Sequence, residues 1–423
     1  MKGRTNAVLP SEAPTDDFIF TMLFDATKFL GAPGNCLSYA DGCADYTPIS
    51  AKGTGSSTAK PAPSSSLSYG SWEMKADGTS DNLLLNKCFY ATFTDAGVLH
   101  EKLNPQDLTK YIAIWDNSAK KWVTESGTSS ITSENTMFCV PTLYVSSTAT
   151  SISLSSKANK GTAFGHIIDG HVYQYMAIAV YPGNGSATRV KSISGATSTV
   201  SISQSNLVSG CCANTVQNGH AMLCNWYQWQ LYRLMVLFAM KDFNSQYTVG
   251  QGGQLYGAQT TGLCDAKGLF AGSTYNASRD AYANGGVKAF IENSWGHNWE
   301  YLGDLLYLTD GVYAFRTSTQ SPSSTAGGAK ITESPYSLGS FGLASGVIST
   351  EPETWGWGTA GGGSATTGGC DYQYMASANR PYMLVGGKSS DVNGGVAGIS
   401  CIYDGTGGAS GDSGGRLTFV FDL

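Results

Sequence analysis

Short apolar runs separated by turn-forming residues make up most of the chain. Runs of this length that are rich in aromatic and β-branched residues, and bounded by Gly, Asn, Asp or Ser, predict β-strands. Residues 49–71 are instead rich in Ser, Pro, Ala and Gly, which indicates a connector. We expect strands at residues 18–24, 83–93, 111–115, 121–124 and 137–145.

Two patterns differ from these short runs. Asp169-Gly170 lies between alternating apolar runs and predicts a hairpin formed by residues 166–168 and 171–181. Residues 221–242 contain neither Gly nor Pro and are apolar nearly all round, which predicts a central, buried helix. Beyond Gly250 the chain returns to short aromatic-rich segments between Gly clusters. These segments lie at residues 289–301, 305–315, 382–385, 399–403 and 417–421.

The composition narrows the class of protein. Of 423 residues, 41% are hydrophobic and only 13% are charged, about half the usual charged share. Such surfaces are common in secreted, cell-wall and virion proteins. The formal net charge of −6 provides no basic surface, so we expect no nucleic-acid partner. Residues 231–240, the most apolar stretch, are about half as long as a membrane span, and residues 1–20 show no signal peptide. We therefore expect a soluble protein, without membrane insertion, that folds in a reducing compartment.

Several motifs resemble catalytic or ligand sites, and each has a structural alternative. Residues 411–415 spell Gly-Asp-Ser-Gly-Gly, the peptide around the nucleophile of chymotrypsin-like proteases. None of the five histidines lies in that family's setting, so the sequence favours a surface loop before the last strand. Residues 356–361 fit the dinucleotide-binding pattern but run into further glycines rather than a helix, which favours a flexible loop.

Histidine and tryptophan clusters leave the same choice open. His166, Asp169 and His171 are metal-ligand types, but the predicted hairpin places His166 opposite Tyr173, so the two imidazoles do not converge. We expect solvated or hydrogen-bonded histidines. Residues 292–300 form either a carbohydrate or metal site or, as we favour, a loop pinned by two buried Trp side chains whose N–H groups are bonded.

The order of several motifs resembles a known family. Residues 289–296 (Ala-Phe-Ile-Glu-Asn-Ser-Trp-Gly), then Trp299-Glu300 and Thr309-Asp310-Gly311, resemble a segment of C-type-lectin-fold domains of the formylglycine-generating-enzyme type. More narrowly, the chain resembles such domains in tail proteins of gut bacteriophages. The resemblance covers roughly residues 83–423. The other matching pieces are Leu103-Asn104-Pro105, residues 137–144, Asp169-Gly170-His171-Val172-Tyr173, residues 192–197, Asn244-Ser245-Gln246, Gly250-Gln251-Gly252, Val385-Gly386-Gly387, Ala397-Gly398-Ile399 and Gly414-Gly415-Arg416-Leu417.

The resemblance implies a variable carboxy-terminal segment. In that family a diversity-generating retroelement often mutates the adenines of Asn codons. Codons that arise in this way cannot encode Lys, Glu, Gln, Met or Trp. Residues 389–415 contain none of these five types, and Lys388, outside the reachable set, is expected to be fixed scaffold. Alternation along residues 397–403 places Ile399, Cys401 and Tyr403 in the core and the intervening side chains on an exposed face. The expected receptor-binding residues are Tyr372, Tyr374, Ser389, Ser390, Asp391, Asn393, Ser400, Ile402, Asp404 and Thr406.

These inferences predict an α+β fold with three regions. An arm and connector occupy residues 1–75, and a small β-rich domain occupies residues 76–158. A C-type-lectin-like domain, with a central buried helix and many short strands, occupies residues 159–423, with a variable ligand-binding region at 382–415.

The expected function is that of a phage tail-tip or tail-fibre adhesin. As a virion protein assembled in the bacterial cytoplasm, it would bind a host-surface protein or glycan and other virion subunits. The family implies a homotrimer, and we expect no cofactor. Two alternatives stay open: a structural virion subunit without receptor contact, and a lectin-fold oxidase-like enzyme. The close cysteine pair that holds copper in the enzyme branch is not matched, since Cys370 and Cys401 are far apart in sequence.

Overall fold

A computed structural model of the chain describes residues 17–40, 70–250, 257–272, 286–308, 310–320, 324–332, 342–343, 347–348, 351–355, 357–358, 367–369, 371–374, 382–388, 398–405 and 407–423. Of these residues, 38% lie in strands and 14% in helices, with only three α-helices. The expected α+β class, with a C-type-lectin-like domain around a central helix, is therefore wrong. The helical pattern is confined to a few segments, whereas most apolar runs are short and pair with one another in antiparallel sheets.

Short strands outnumber helices throughout the described residues. The strands are β1 Ile19–Phe24, β2 Leu37–Tyr39, β3 Phe89–Phe93, β4 Leu99–Asn104, β5 Asp107–Asp116, β6 Lys121–Thr128, β7 Asn135–Pro141, β8 Tyr144–Thr148, β9 Ser151–Ser155, β10 Ile167–Ile168, β11 His171–Val172, β12 Tyr175–Ala179, β13 Asn184–Ser186, β14 Arg189–Lys191, β15 Gly219–Leu223, β16 Phe270–Ala271, β17 Lys288–Ala289, β18 Ile291–Glu292, β19 Trp299–Tyr301, β20 Leu305–Leu308, β21 Gly311–Ala314, β22 Ala329–Thr332, β23 Gly342–Leu343, β24 Val347–Ile348, β25 Trp357–Gly358, β26 Tyr372–Tyr374, β27 Tyr382–Val385, β28 Ile402–Gly405, β29 Ser413–Gly415 and β30 Leu417–Phe421. The α-helices are α1 Gln204–Cys212, α2 Trp226–Met240 and α3 Ser245–Thr248.

The largest sheet has eight strands in the order β15-β30-β12-β7-β3-β4-β5-β6. Buried and half-buried residues alternate along β4, the pattern of a strand with one face on the core. By contrast, β3 and β7 are buried almost throughout because both of their faces pack on the core: Tyr90 and Phe138 belong to one cluster, and Ala91 and Met137 belong to another. Strands from both sides of the expected boundary at residue 158 share this sheet. The expected boundary at residue 158 therefore does not divide the chain into two regions that have separate sheets.

The predicted hairpin at Asp169-Gly170 is found. Ile168 pairs with His171, and both turn residues have positive φ, 49° and 81°, as a two-residue type I′ loop requires. The long second strand expected at residues 171–181 is instead divided into β11 and β12. Among the other predicted strands, residues 18–24 correspond to β1, and residues 111–115 and 121–124 lie in β5 and β6.

Helix α2 begins later than the predicted helix at residues 221–242. Residues 219–223 form β15, which pairs with β30. The Asn225 side chain accepts from the Gln228 N–H, and the Gln228 side chain accepts from the Asn225 N–H. This capping box fixes the first turn. All fifteen residues of α2 are buried, and Lys241 ends the helix in the left-handed conformation with φ 54°.

A second sheet of six strands has the order β23-β26-β28-β27-β19-β29. It contains the carboxy-terminal region in which the sequence places the recognition residues. Pairing is antiparallel between β19, β27 and β28, and parallel between β26 and β28 and between β19 and β29. No helix in the described ranges is long and apolar enough to cross a membrane.

Candidate recognition site

Strands β27 and β28 form an antiparallel hairpin with a long connection. Val385 pairs with Ile402 at its inner end, so residues 386–401 join the two strands. Residues 389–397 of this β27–β28 connection lie outside the described residues. Hairpin loops ordinarily contain about 2–5 residues, and much longer connections within compact domains are usually either functional or linker segments. The β27–β28 connection is therefore the leading candidate for a recognition loop.

The first residues of the connection are held by the segment that precedes β19. The Gly296 N–H donates to the Gly386 carbonyl over 3.2 Å. Lys388 forms a parallel β-bridge with His297, and its ammonium lies 2.7 Å from a carboxylate oxygen of Asp412. Burial acts to raise the pKa of Asp412, but the Lys388 ammonium and neighbouring hydroxyls outweigh it and hold that pKa below its ordinary value. The ion pair is therefore charged at neutral pH.

The last residues of the connection are held by a buried arginine of α2. The Arg233 Nε donates to the Ser400 Oγ over 2.9 Å, and the Ser400 N–H donates to an Asp371 carboxylate oxygen over 2.6 Å. Gly398 has no room for a side chain, because a β-carbon there would overlap the Asp371 carboxylate. A guanidinium and a carboxylate thus hold Ser400 from two sides. We call this arrangement the Arg233–Ser400–Asp371 clamp.

Further buried hydrogen bonds hold the arginine of the Arg233–Ser400–Asp371 clamp in place. Arg233 is 4% exposed, and its Nη1 donates to the Gln230 Oε1 and the Trp355 carbonyl, at 3.0 and 2.9 Å. Burial lowers the pKa of Arg233 to about 10, while the charge of Asp371 acts in the opposite direction. The guanidinium therefore stays charged at neutral pH, and its bonds to Ser400 and to the backbone are charge-assisted.

A second buried arginine joins the six-stranded sheet to the eight-stranded sheet. Arg416 is fully buried, and its Nε lies 3.1 and 3.0 Å from the two carboxylate oxygens of Glu300, in β19. Its other nitrogens donate to the carbonyls of Ala179, Val180 and Glu292. Strand β19, which pairs with β27, is therefore fixed to the core next to the connection.

The exposure that the sequence analysis expected for three recognition residues is not found. Tyr372, Ser400 and Ile402 are only 2%, 5% and 4% exposed. The expected strand at 397–403 is in fact β28, at Ile402–Gly405, and Ser400 lies in the turn before it. Ile402, on one face of β28, belongs to one core cluster, and Tyr403, on the other face, packs against a second cluster, so alternation does not separate a core face from a surface face.

The remaining expected contacts are placed only in part. Tyr374 lies at the end of β26 and Asp404 lies in β28. Four expected contacts are in or near the β27–β28 connection but outside the described residues, as is one that follows β28. These are Ser389, Ser390, Asp391, Asn393 and Thr406.

An exposed segment beside the connection lies within the expected variable region at 382–415, but none of its residues was among the expected receptor contacts. Gly408, Ala409 and Gly411 are exposed, and the adjoining Asp412 is the partner of Lys388. The Tyr301 hydroxyl donates to the Gly408 carbonyl over 2.9 Å and so fixes this segment to β19. Glycine and alanine give little sequence signal, but a surface built from backbone beside a polar loop suits a contact site.

The chemical motifs have structural roles in the described chain. Ser413 is buried in β29, which pairs with β19, so the surface loop expected at residues 411–415 is wrong for its second half. The Ser413 Oγ lies 3.3 Å from an Asp412 oxygen, and among the described residues it has no histidine partner. Of residues 356–361, Trp357-Gly358 form β25, and the rest lie outside the described residues.

The expectations for the histidine and tryptophan clusters are met only in part. His171 is hydrogen-bonded to Asp422 over 2.8 Å, as expected. His166 does lie opposite Tyr173, but it is fully buried, and neither of its ring nitrogens is bonded to any residue that the structure describes. Burial lowers its pKa to about 3, so the expected solvation or bonding of His166 is wrong. Trp295 and Trp299 are both buried, as the structural interpretation of residues 292–300 expects, and the Trp295 indole N–H donates to the Gly250 carbonyl.

Comparisons with known proteins add no family to this picture. A scan against protein-family models finds no match for the chain, and a search of curated proteins finds no similar sequence.

Proposed function

We propose that this protein attaches a bacteriophage particle to its host cell, and that the β27–β28 connection makes the receptor contact. The observation that carries the proposal is that both ends of this long connection are fixed. Lys388 is held by an ion pair at one end and Ser400 by the Arg233–Ser400–Asp371 clamp at the other. A fixed frame around a polar loop is how many proteins combine a stable core with variable recognition. The assignment to a phage tail is supported by the motif resemblance alone.

Weak single sites are sufficient for this function. A virion carries its attachment protein in several copies, and linked sites raise the overall affinity by about 10²–10⁴ without a new contact. A connection rich in Ser and Gly, such as residues 386–401, fits such a contact. Its partner would be a host-surface protein or glycan, and a homotrimer would supply the multiple copies.

The test is binding of the purified chain to a panel of intact bacteria. The loop variant changes Ser389, Ser390, Asp391 and Asn393 to Ala. A control variant changes Ser186, the last residue of β13, and Thr188, in the turn that follows it, to Ala; both side chains are exposed. Circular dichroism checks that all three chains fold.

The outcomes separate the competing functions. Loss of binding by the loop variant alone supports the proposal. Equal binding by all three chains contradicts it, because recognition then lies elsewhere on the molecule. If the wild-type chain binds none of the bacteria, the structural virion subunit becomes the better account.

A further inference from the structure

A cluster of three ionisable side chains lies far from the recognition site in sequence, at the junction of β4 with the turn before β7. The His100 Nδ1 is 2.8 Å from a carboxylate oxygen of Glu134. Glu101 adds a second carboxylate, and one ligand atom from each residue lies within 4.8 Å of the other two. One imidazole nitrogen and two carboxylate oxygens form a common donor set for divalent transition metals.

Glu101 is held in place from the protein side. Ser130 donates to its carboxylate through both the backbone N–H, over 2.8 Å, and the hydroxyl, over 3.1 Å. The Thr92 hydroxyl is a third donor, at 3.3 Å. Since a carboxylate accepts about four hydrogen bonds, these three leave capacity for one further ligand. Bonds of this kind orient metal ligands in known sites.

The charge of Glu101 lacks a permanent positive partner. The side chain is 3% exposed, yet among the described residues neither Glu101 nor Glu134 forms an ion pair with a Lys or Arg. Buried charges in proteins are paired or bind metal. The His100–Glu134 pair leaves the buried Glu101 carboxyl without a cationic partner among the described residues, and a bound metal ion would provide one.

We propose that His100, Glu101 and Glu134 bind one divalent transition-metal ion of the zinc type. The His100 Nδ1 and one oxygen from each carboxylate would be its ligands. Small rotations of His100, which is 35% exposed, and of Glu134, which is 17% exposed, bring the three atoms to the metal–ligand distances of about 2.0–2.2 Å. Water completes the coordination on the exposed side. Such an ion fastens β4 to the turn that leads into β7.

The chain itself provides a matched control. His171 and Asp422 form another exposed pair, with the same 2.8 Å separation, but no third ligand joins them among the described residues. Wild-type protein, His100→Ala and His171→Ala are freed of metal with a chelator and titrated with Zn²⁺ by calorimetry, and Ca²⁺ is titrated in parallel. Thermal unfolding is recorded with and without Zn²⁺.

We expect one equivalent of Zn²⁺ to bind the wild-type and His171→Ala chains and to raise their unfolding temperatures. His100→Ala should bind Zn²⁺ at least about tenfold more weakly than the wild type, by analogy with losses at supporting residues of metal sites. Adding Zn²⁺ should leave the unfolding temperature of His100→Ala unchanged. Ca²⁺, which prefers ligands that are all oxygen, should bind less tightly than Zn²⁺. Absence of stoichiometric binding by the wild type overturns the proposal, as does equal binding by His100→Ala or a loss confined to His171→Ala.

Discussion

Ser400→Ala tests whether Ser400 anchors the end of the β27–β28 connection or contacts the receptor. Loss of an anchor lowers the stability of the fold, whereas loss of a contact lowers only binding. Changing Ser400→Ala removes the oxygen that accepts from the Arg233 Nε over 2.9 Å. The backbone bond from Ser400 to Asp371 is kept. If Ser400 were a surface contact, as the alternation of residues 397–403 suggested, the protein would tolerate the change and only binding would suffer.

The size of the expected effect follows from burial and charge. Arg233 and Ser400 are 4% and 5% exposed, so water cannot replace the lost acceptor. Hydrogen bonds to charged groups contribute about 1.5–3 kcal/mol, and leaving a buried donor without its acceptor costs a similar amount. We therefore expect Ser400→Ala to lower the free energy of unfolding by about 1.5–3 kcal/mol.

Urea denaturation followed by tryptophan fluorescence measures this change. Ser126→Ala, at an exposed position of β6, is the matched control and should stay within about 0.5 kcal/mol of the wild type. The dependence of the unfolding free energy on urea should be the same for all three chains. If Ser400→Ala is as stable as the control, the Arg233–Ser400–Asp371 clamp does not hold the connection and the reasoning is wrong.

Three further predictions concern the interior. Burial raises the pKa of Asp304 from 3.8 to about 8. The folded state keeps a proton that the unfolded chain releases, so stability falls as pH rises between these values, by at most about 1.4 kcal/mol per pH unit. Asp304→Asn should remove this fall in the free energy of unfolding, measured by urea denaturation at about pH 5 and about pH 8. The same fall in the wild type and in Asp304→Asn contradicts the prediction. Glu300→Gln removes the carboxylate partner of the buried Arg416 and should cost about 3–5 kcal/mol by the same assay; a loss below about 1 kcal/mol would mean that the pair is not buried as described. Gly407→Ala should cost at least about 1 kcal/mol, because φ there is +71° and a β-carbon would overlap the Tyr382 ring; an unchanged thermal midpoint contradicts it.

Local signals in the sequence predicted local structure well. The Asp169-Gly170 turn and the strand at 18–24 depend on neighbouring residues, and both are found. The predicted helix began too early in the chain. Asn225 caps α2, and the residues before it, 219–223, pair instead with β30, a strand nearly two hundred residues later in the chain. Pairing between distant segments leaves no periodic trace in either segment, and the fold class was wrong for the same reason.

The recognition site shows a similar limit. That the carboxy-terminal segment belongs to a loop between strands was visible in its glycines and its polar residues. Its burial was not, because Ser400 is polar and its hydroxyl accepts a hydrogen bond in the interior from Arg233, 167 positions earlier in the sequence. One signal was present: Arg233 is the only charged residue in the apolar sequence of α2. A lone charge in a buried helix indicates a specific partner in the interior.

The two buried arginines suggest how the molecule separates stability from recognition. Arg233 holds the end of the β27–β28 connection, and Arg416 fixes β19 beside its start. Both act through buried bonds, so neither depends on the identity of the residues between Lys388 and Gly398. Changes within that interval leave the fixed points intact, whereas a change at Ser400 removes one of them. On this argument, variation that alters the receptor without unfolding the protein is confined to residues 389–397 and to the exposed Gly408, Ala409 and Gly411, and residues 398–402 belong to the frame.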